Sequence, residues 1–228
     1  MAERKEIRKY VFSVEGDTEK WYLEWLCQQL NAFENTKYRV LIVAEVQKNP
    51  LKFAKRLNTS TTPKVTHLCD VEGETPTELR EFENVLHLMK QAQKNKRIEY
   101  DLGYSNLSFE LWMILHKSDC QSPLPTKKQY LTRINRAFGK QYENLDQYKE
   151  ERNFKSCLQQ LTLHDVLKAI QRSKALMNAK QENGSTLSEY AGYRYYPDNP
   201  ALTVYQNIEA ILRECEILEC QSPERQQI

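Results

Sequence analysis

Tyr10-Val-Phe-Ser-Val-Glu-Gly-Asp-Thr-Glu19 joins a short apolar run to an acidic turn and then to an amphipathic segment. A second apolar run, residues 65–69, leads in the same way into Asp70-Val-Glu-Gly-Glu74. Short apolar runs bounded by turn residues are typical of buried strands. In an open α/β sheet, the residues that follow parallel strands meet at one edge, where ligand sites form. The sequence therefore predicts an α/β fold with its acidic residues gathered at that edge.

Strand-like and helix-like segments alternate through the first half of the chain. The predicted strands are residues 10–14, 38–44, 65–69 and 98–104, and the predicted helices are residues 17–33, 50–57, 76–94 and 109–116. This alternation favours a doubly wound, mostly parallel sheet.

The pattern changes after the breaker Ser122-Pro-Leu-Pro125. The predicted elements that follow are helices, at residues 131–138, 161–177 and 200–218. Asn199 is the predicted N-cap of the last helix, with Pro200 in its first turn. We therefore divide the chain into an α/β core, residues 1–118, and a mostly helical C-terminal extension, residues 119–228, packed on that core.

The composition is that of an ordinary globular protein. Of the 228 residues, 40% are hydrophobic and 28% are charged, and no apolar stretch reaches the roughly 20 residues that cross a bilayer. The first residues lack the apolar core of a signal peptide, so we expect a cytoplasmic protein with no membrane contact. The six cysteines form no Cys-x-x-Cys pair, which argues against a zinc ribbon or a disulfide framework.

Carboxylates dominate both turns. Glu15 follows the first predicted strand, and Gly16 allows a tight turn and lets a phosphate approach the backbone. Asp70, Glu72 and Glu74 alternate, so they point to one side if the strand continues through them. Crowded carboxylates repel unless a cation neutralises them, and Mg²⁺ prefers such oxygen ligands. The alternative is an exposed acidic turn without a metal.

Further polar residues follow the fourth predicted strand. Ser105 and Asn106 lie where they could contact a phosphate, and Glu110 could be a further metal ligand. His116 could contact nucleic acid, although the apolar helix that carries it could also bury it. For Glu19, capping the first helix is favoured over a place in the site.

A basic segment contrasts with the net charge of only +2. Residues 127–180 carry 12 basic and 5 acidic side chains. Among them Arg133, Arg136 and Lys140 are spaced i, i+3 and i+7, which places them on one face of a predicted helix. They could bind nucleic-acid phosphates, and an ordinary solvated helical face is an equal alternative.

Aromatic residues cluster in a predicted loop further on. The cluster consists of Tyr190, Tyr193, Arg194, Tyr195 and Tyr196. Its rings could stack on unpaired bases, but a packed aromatic loop is the favoured interpretation.

Four motifs occur in order along the chain. They are Glu15-Gly-x-Thr-Glu-x-x-Tyr22; Asp70-x-Glu72; Ser105-Asn-x-x-Phe-Glu-Leu-Trp112 with Leu115-His116; and Asn199-Pro-x-x-Thr-Val204. In these motifs, over most of its length, the chain resembles the RloB-like family of Toprim proteins. The resemblance implies a Toprim fold, in which a glutamate after the first strand and a D-x-D pair after a later strand bind Mg²⁺ and act on phosphodiesters. Carried over to this chain, the glutamate is Glu15 and the pair is Asp70 and Glu72.

The chain departs from the family pattern at two positions. Glu72 stands where the second aspartate is usual, which keeps the charge but lengthens the arm by one methylene. Leu107 stands where a proline commonly follows Ser-Asn.

The resemblance and the acidic residues together lead to the expectation of a Mg²⁺-dependent nuclease, with Mn²⁺ as an alternative, acting on DNA or RNA, tRNA included. Glu15, Asp70 and Glu72 are the expected catalytic residues. The resemblance also implies antiphage defence of the abortive-infection type beside an ATPase of the ABC/AAA type. The chain has no Walker A motif, so any use of ATP would belong to that partner. The alternative is a non-catalytic subunit that binds nucleic acid or assembles with the ATPase. A homo-oligomer is compatible with either function.

Overall fold

The computed structural model describes residues 5–57, 62–96 and 98–220. The strands are β1 (Ile7–Val14), β2 (Arg39–Val46), β3 (Lys64–Asp70), β4 (Glu99–Asn106), β5 (Ser188–Tyr190), β6 (Tyr193–Tyr195) and β7 (Ala201–Leu202). The helices are α1 (Asp17–Ala32), α2 (Pro50–Arg56), α3 (Pro76–Lys96), α4 (Glu110–Leu115), α5 (Lys127–Phe138), α6 (Leu145–Lys149), α7 (Glu151–Leu158), α8 (Leu163–Glu182), α9 (Val204–Glu214) and α10 (Ile217–Cys220). Within these ranges, no helix combines the length and the apolar character needed to cross a membrane.

A five-stranded sheet in the order β2-β1-β3-β4-β7 forms the centre of the fold. β1 pairs in parallel with both β2 and β3, and β3 pairs in parallel with β4. β7 is antiparallel to β4, with Leu202 opposite Ser105. Because β1 and β3 are neighbours, the residues that follow them lie at the same edge of the sheet. The predicted α/β class with a mostly parallel sheet is confirmed.

Hydrophobic cores lie on both faces of the sheet. Phe12 and Leu68, from neighbouring strands, belong to one core together with α1, α4, α5, α7, α8 and α9. Val65 and Tyr104 belong to a second core together with α2, α3 and the β5–β6 hairpin. Since alternate residues of a strand point to opposite faces, helices cover the sheet from both sides, which is the arrangement of a doubly wound fold.

Local signals in the sequence set the ends of several helices. Asn49 caps α2 with its side chain. Thr126 and Gln129 form a capping box at the start of α5. α5 ends because Gly139 adopts the left-handed conformation, with a φ of 62°, which glycine reaches without strain.

The last third of the chain departs from its predicted helical pattern. Asn199–Pro200 does not open a helix: its peptide bond is cis, β7 follows it, and α9 begins at Val204. Ala201 and Leu202 are buried and pair with β4, so the sheet takes up this segment. β5, β6, α6 and α7 were not predicted from the sequence, because they are too short for hydrophobic periodicity to reveal them. The domain boundary at residue 118 stays a prediction.

Candidate metal centre

Glu15 and Asp70 lie at the carboxyl ends of neighbouring strands. Val14 of β1 is level with Leu68 of β3, so the residue after β1 comes beside the last residues of β3. The backbone N–H of Asp70 donates a hydrogen bond of 3.2 Å to Oε2 of Glu15, which joins the two ends. The parallel register thus brings both carboxylates to one sheet edge, as the sequence predicts.

Glu72 reaches the same place through a bend after β3. Its N–H donates a hydrogen bond of 3.0 Å to the carbonyl of Leu107, which ties the bend to the segment after β4. Glu72 has a φ of 66°, a left-handed conformation that is uncommon for a residue with a side chain. One carboxylate oxygen from each of Glu15, Asp70 and Glu72 lies within 4.8 Å of the other two. The predicted convergence of these three acids is confirmed.

Glu74 lies outside this cluster. β3 ends at Asp70, and the left-handed conformation of Glu72 breaks the alternation that would point all three acids to one side. Oε1 of Glu74 instead accepts hydrogen bonds from the backbone N–H (3.0 Å) and the side-chain amide (2.9 Å) of Asn199. The expectation that Glu74 is a metal ligand is therefore corrected, because its carboxylate holds the segment before β7.

Burial and like charge act together on the clustered carboxyls. Burial raises the pKa of Glu15 to about 7, and the Glu19 and Glu72 carboxylates add to the shift against the hydrogen bond from Asp70. Burial also raises the pKa of Asp70 well above its ordinary value, with further contributions from Glu19, Glu15 and Glu110. The cluster therefore favours the binding of either protons or a cation.

Glu110, the predicted further metal ligand, lies beside the cluster but forms an ion pair with a lysine. It is 1% exposed, and its Oε1 lies 3.1 Å from Nζ of Lys149, the last residue of α6. Its other oxygen has no hydrogen-bond partner among the described residues. Burial alone would lower the pKa of Lys149, but Glu110 and Asp70 outweigh it and raise that pKa above its ordinary value. Lys149 was not identified from the sequence, where nothing separates it from the other basic residues of its segment.

Glu19 belongs to the acidic site as well as to the first turn of α1. Gly16 is the N-cap of α1, and the Glu19 carboxylate accepts a hydrogen bond from its own backbone N–H in the first turn of the helix. Glu19 is buried, accepts a hydrogen bond of 2.8 Å from Oγ1 of Thr18, and burial raises its pKa. A Cβ on Gly16 would lie 3.1 Å from Oε2 of Glu19, so glycine keeps this part of the site open.

Two open hollows adjoin the three carboxylates. Glu15, Asp70 and Glu72 line both of them. The larger, of about 410 Å³, extends toward α3, and the smaller, of about 230 Å³, extends toward the start of α1 and reaches Lys149. Lys48 lines both hollows. The three acids are thus open to solvent on a surface that also carries Lys48 and Lys149.

Lys127, the first residue of α5, adds a third lysine to the site. Its Nζ lies 3.0 Å from a carboxylate oxygen of Glu72, and both side chains are largely exposed. The pair is therefore screened by water and contributes little to stability.

Ser105 and Asn106 are buried at the end of β4, at 1% and 0% exposure. The side-chain amide of Asn106 donates hydrogen bonds to the carbonyls of Tyr196 (3.3 Å) and Pro197 (2.6 Å). The predicted phosphate contacts of these two residues are therefore corrected, because their side chains face the protein interior.

His116 is also buried, at 1% exposure. One ring nitrogen lies 2.8 Å from the carbonyl of Trp112 and the other lies 3.1 Å from the hydroxyl of Tyr22. Burial lowers the pKa of His116 to about 4. The predicted nucleic-acid contact is corrected in favour of the buried alternative, since both nitrogens have protein partners.

The helix that carries the predicted basic face ends before the last of its three residues. Arg133 and Arg136 lie on α5, the first half-buried and the second exposed. Lys140 lies beyond the helix, because Gly139 ends it. Phosphate binding by these three residues stays a prediction.

The tyrosine cluster is a packed element. Tyr195 is buried with its ring centroid 4.9 Å from that of Phe82 on α3, and Tyr196 is buried beside it. The hydroxyl of Tyr193 accepts a hydrogen bond of 3.1 Å from Gln93. Tyr190 is 38% exposed. These contacts favour the packed-loop interpretation over base stacking.

The available donors fit a hard divalent cation. The three clustered ligand atoms are carboxylate oxygens, the kind that Mg²⁺ and Mn²⁺ prefer. Cys69, next to Asp70 in sequence, is buried, and burial raises the pKa of its thiol well above the ordinary value, so no thiolate competes as a ligand.

A sequence model of the family described as RloB-like protein matches residues 10–211, which include all three clustered acids and the sheet from within β1 to β7. No curated protein and no solved structure matches the chain.

Proposed function

The chain belongs to the RloB-like protein family, and we propose that it is a metal-dependent nuclease whose cation is held by Glu15, Asp70 and Glu72. The convergence of these three carboxylates at the edge of a mostly parallel sheet is the observation that carries the proposal. The reaction is hydrolysis of phosphodiester bonds in DNA or RNA, tRNA included. Mg²⁺ is the expected ion, with Mn²⁺ as the alternative.

The protein residues have distinct parts in this proposal. A divalent cation, when bound, polarises the scissile phosphate and lowers the pKa of a water molecule. Glu15 and Asp70, whose pKa values are raised by burial, lose their protons on binding it. Lys149 balances the buried charge of Glu110 and lies beside the smaller hollow, where it can bind a phosphate oxygen.

Finer assignments follow from the family as part of the same proposal. The sheet is of the Toprim type, which is supported by an acid after each of two neighbouring parallel strands. The protein acts in the cytoplasm in antiphage defence of the abortive-infection type, with an ABC/AAA-type ATPase as its partner. Arg133, Arg136 and Lys140 contribute to binding the nucleic acid.

A cleavage assay tests the proposal. The purified protein is incubated with end-labelled single-stranded and double-stranded DNA and RNA, in Mg²⁺, Mn²⁺ or chelator, with and without the candidate ATPase. We expect cleavage that requires metal and is lost in Glu15→Gln. Glu34→Gln is the matched control, because this exposed glutamate follows α1 and lies outside the acidic cluster.

The absence of cleavage with either metal, even with the ATPase present, would refute the nuclease and favour the non-catalytic subunit. The ion pair between Lys127 and Glu72 is the observation that favours this second function, because a lysine already neutralises one of the three acids.

A further inference from the structure

A groove between α1 and α7 continues from the acidic site. Its volume is about 230 Å³, and its lining residues are Trp21, Glu24, Trp25, Gln28, Lys155, Leu158 and Gln159. Trp21 also lines the smaller of the two hollows beside Glu15 and Asp70. The groove and the acidic site are therefore parts of one continuous surface, with Trp21 between them.

Both tryptophans of the groove keep part of their surface open. Trp21 and Trp25, one turn apart on α1, are half-buried, whereas Trp112 is fully buried in the core. Phe154, fully buried on α7, packs against Trp21 with ring centroids 6.0 Å apart. A partly exposed indole that is backed by a buried ring can serve as a platform on which a second planar ring stacks.

Positive charge lies on both sides of Trp21. Nζ of Lys155 lies 5.8 Å from the centroid of the Trp21 ring, and Lys149 lines the adjoining hollow. Lys155 pairs with Glu151 within α7, but 45% of its side chain is exposed, so its ammonium can also contact a phosphate. Aromatic platforms flanked by cations are the means by which proteins bind single-stranded nucleic acid.

We propose that this groove binds the unpaired nucleotide next to the scissile phosphate, with its base stacked on Trp21. The inference rests on the proposed function, since the acidic site positions the phosphate, and it restricts the substrate to nucleic acid that is single-stranded beside the cleaved bond. A base inside a duplex keeps both faces against its neighbours and cannot stack on Trp21 without being flipped out. Gln28 and Gln159 line the same groove, and their amides supply hydrogen-bond donors and acceptors to it.

Tryptophan fluorescence tests the proposal directly, because two of the three tryptophans line the groove. Short oligoribonucleotides and oligodeoxyribonucleotides of mixed sequence, single-stranded or as blunt duplexes, are titrated into the full-length protein in chelator, where no metal-dependent cleavage occurs. We expect the single strands to quench the fluorescence and the duplexes to leave it unchanged. The DNA and RNA arms identify which backbone binds more tightly.

Variants separate stacking from general charge. By fluorescence anisotropy of labelled single strands, Trp21→Ala should bind about 10-fold more weakly, which is the effect of losing one stacked base. Trp21→Phe should retain most of the affinity, and Lys155→Gln should weaken binding without removing any packed ring. Tyr190→Ala is the matched control, because it removes an exposed aromatic side chain on β5, away from the groove, and should bind as wild type does.

Unchanged binding by Trp21→Ala would overturn the inference whatever the effect of Lys155→Gln, as would an equal loss in Tyr190→Ala. Metal-dependent cleavage without any effect of Trp21 would leave the proposed function and remove this inference. Binding that depends on Trp21, without metal-dependent cleavage, would support the stacking groove and refute the proposed nuclease.

Discussion

Replacing Glu15 by glutamine should stabilise the metal-free protein while removing its response to metal. Glutamine has nearly the same shape, and its side-chain oxygen can still accept the hydrogen bond of 3.2 Å from the N–H of Asp70, so the change removes charge alone. Without a cation, the folded wild type must hold an ionised Glu15 in a buried position beside Glu19 and Glu72, which raises its pKa. The variant is relieved of that repulsion.

The pKa shift gives the sign and the size of this effect. A pKa of about 7 in the folded protein, against the ordinary value of 4.5, corresponds to about 3 kcal/mol, which we reduce to about 2 kcal/mol because water screens a side chain that is not fully enclosed. Since the folded-state pKa is raised, the folded protein binds this proton more tightly than the unfolded chain. The stability that the folded protein gains from protonated Glu15 is fully present below pH 4.5 and is lost as the pH rises through about 7.

Thermal melting in chelator measures the effect. At about pH 8, Glu15→Gln should melt about 4–8 °C above the wild type, and the difference should shrink below pH 5. Excess Mg²⁺ at about pH 8 should raise the melting temperature of the wild type and leave that of the variant nearly unchanged. Glu34→Gln should follow the wild type in every condition. A variant that melts at or below the wild type at about pH 8 in chelator would refute the reasoning that these carboxylates repel.

Three further predictions concern the surroundings of the site. Lys149→Met leaves the buried Glu110 without its partner, so the free energy of unfolding in urea should fall by about 2 kcal/mol, a value reduced because Lys149 is partly exposed. The double variant with Glu110→Gln should recover most of that loss. Losses that simply add in the double variant would contradict the pairing. Glu74→Ala leaves the N–H and amide of Asn199 unpaired, so the free energy of unfolding in urea should fall by about 1–3 kcal/mol. The rise in melting temperature caused by Mg²⁺ should persist in this variant. If that rise disappears, Glu74 is a metal ligand after all. His116 is buried in its neutral form with a pKa lowered from 6.5 to about 4, so the unfolded chain takes up a proton first as the pH falls. The free energy of unfolding should therefore decrease by up to about 3 kcal/mol between pH 6.5 and 4. A His116→Gln variant with the same pH dependence as the wild type would show that another group is responsible.

Patterns local in sequence were enough to predict the centre of the fold and its acidic site. The apolar runs before Glu15 and Asp70 are β1 and β3, and helices follow both strands. Because parallel strands joined through helices place their carboxyl ends at one edge, the two acids meet whatever the conformation of the intervening loops. This general property explains why Glu15 and Asp70, which are 55 residues apart in sequence, were correctly predicted to lie together.

Contacts made by tertiary packing alone could not be predicted. Glu74 accepts its hydrogen bonds from Asn199, 125 residues further on, and nothing near either residue in sequence indicates the partner. Lys149 meets Glu110 because α6 packs against the end of the core, and one lysine in a basic segment resembles any other. His116 illustrates a third case, since an apolar helix with a single histidine has the same periodicity whether that histidine is buried or faces a site.

The binding of a cation by the three acids is tested most directly by crystals of the protein grown in Mn²⁺ and measured for anomalous scattering. We predict an anomalous peak with carboxylate oxygens of Glu15, Asp70 and Glu72 at about 2.1 Å from it, and no such peak in Glu15→Gln. Saturating Mn²⁺ with no peak between these side chains, or with a peak only elsewhere on the protein, would contradict the assignment of the acidic cluster as a metal centre.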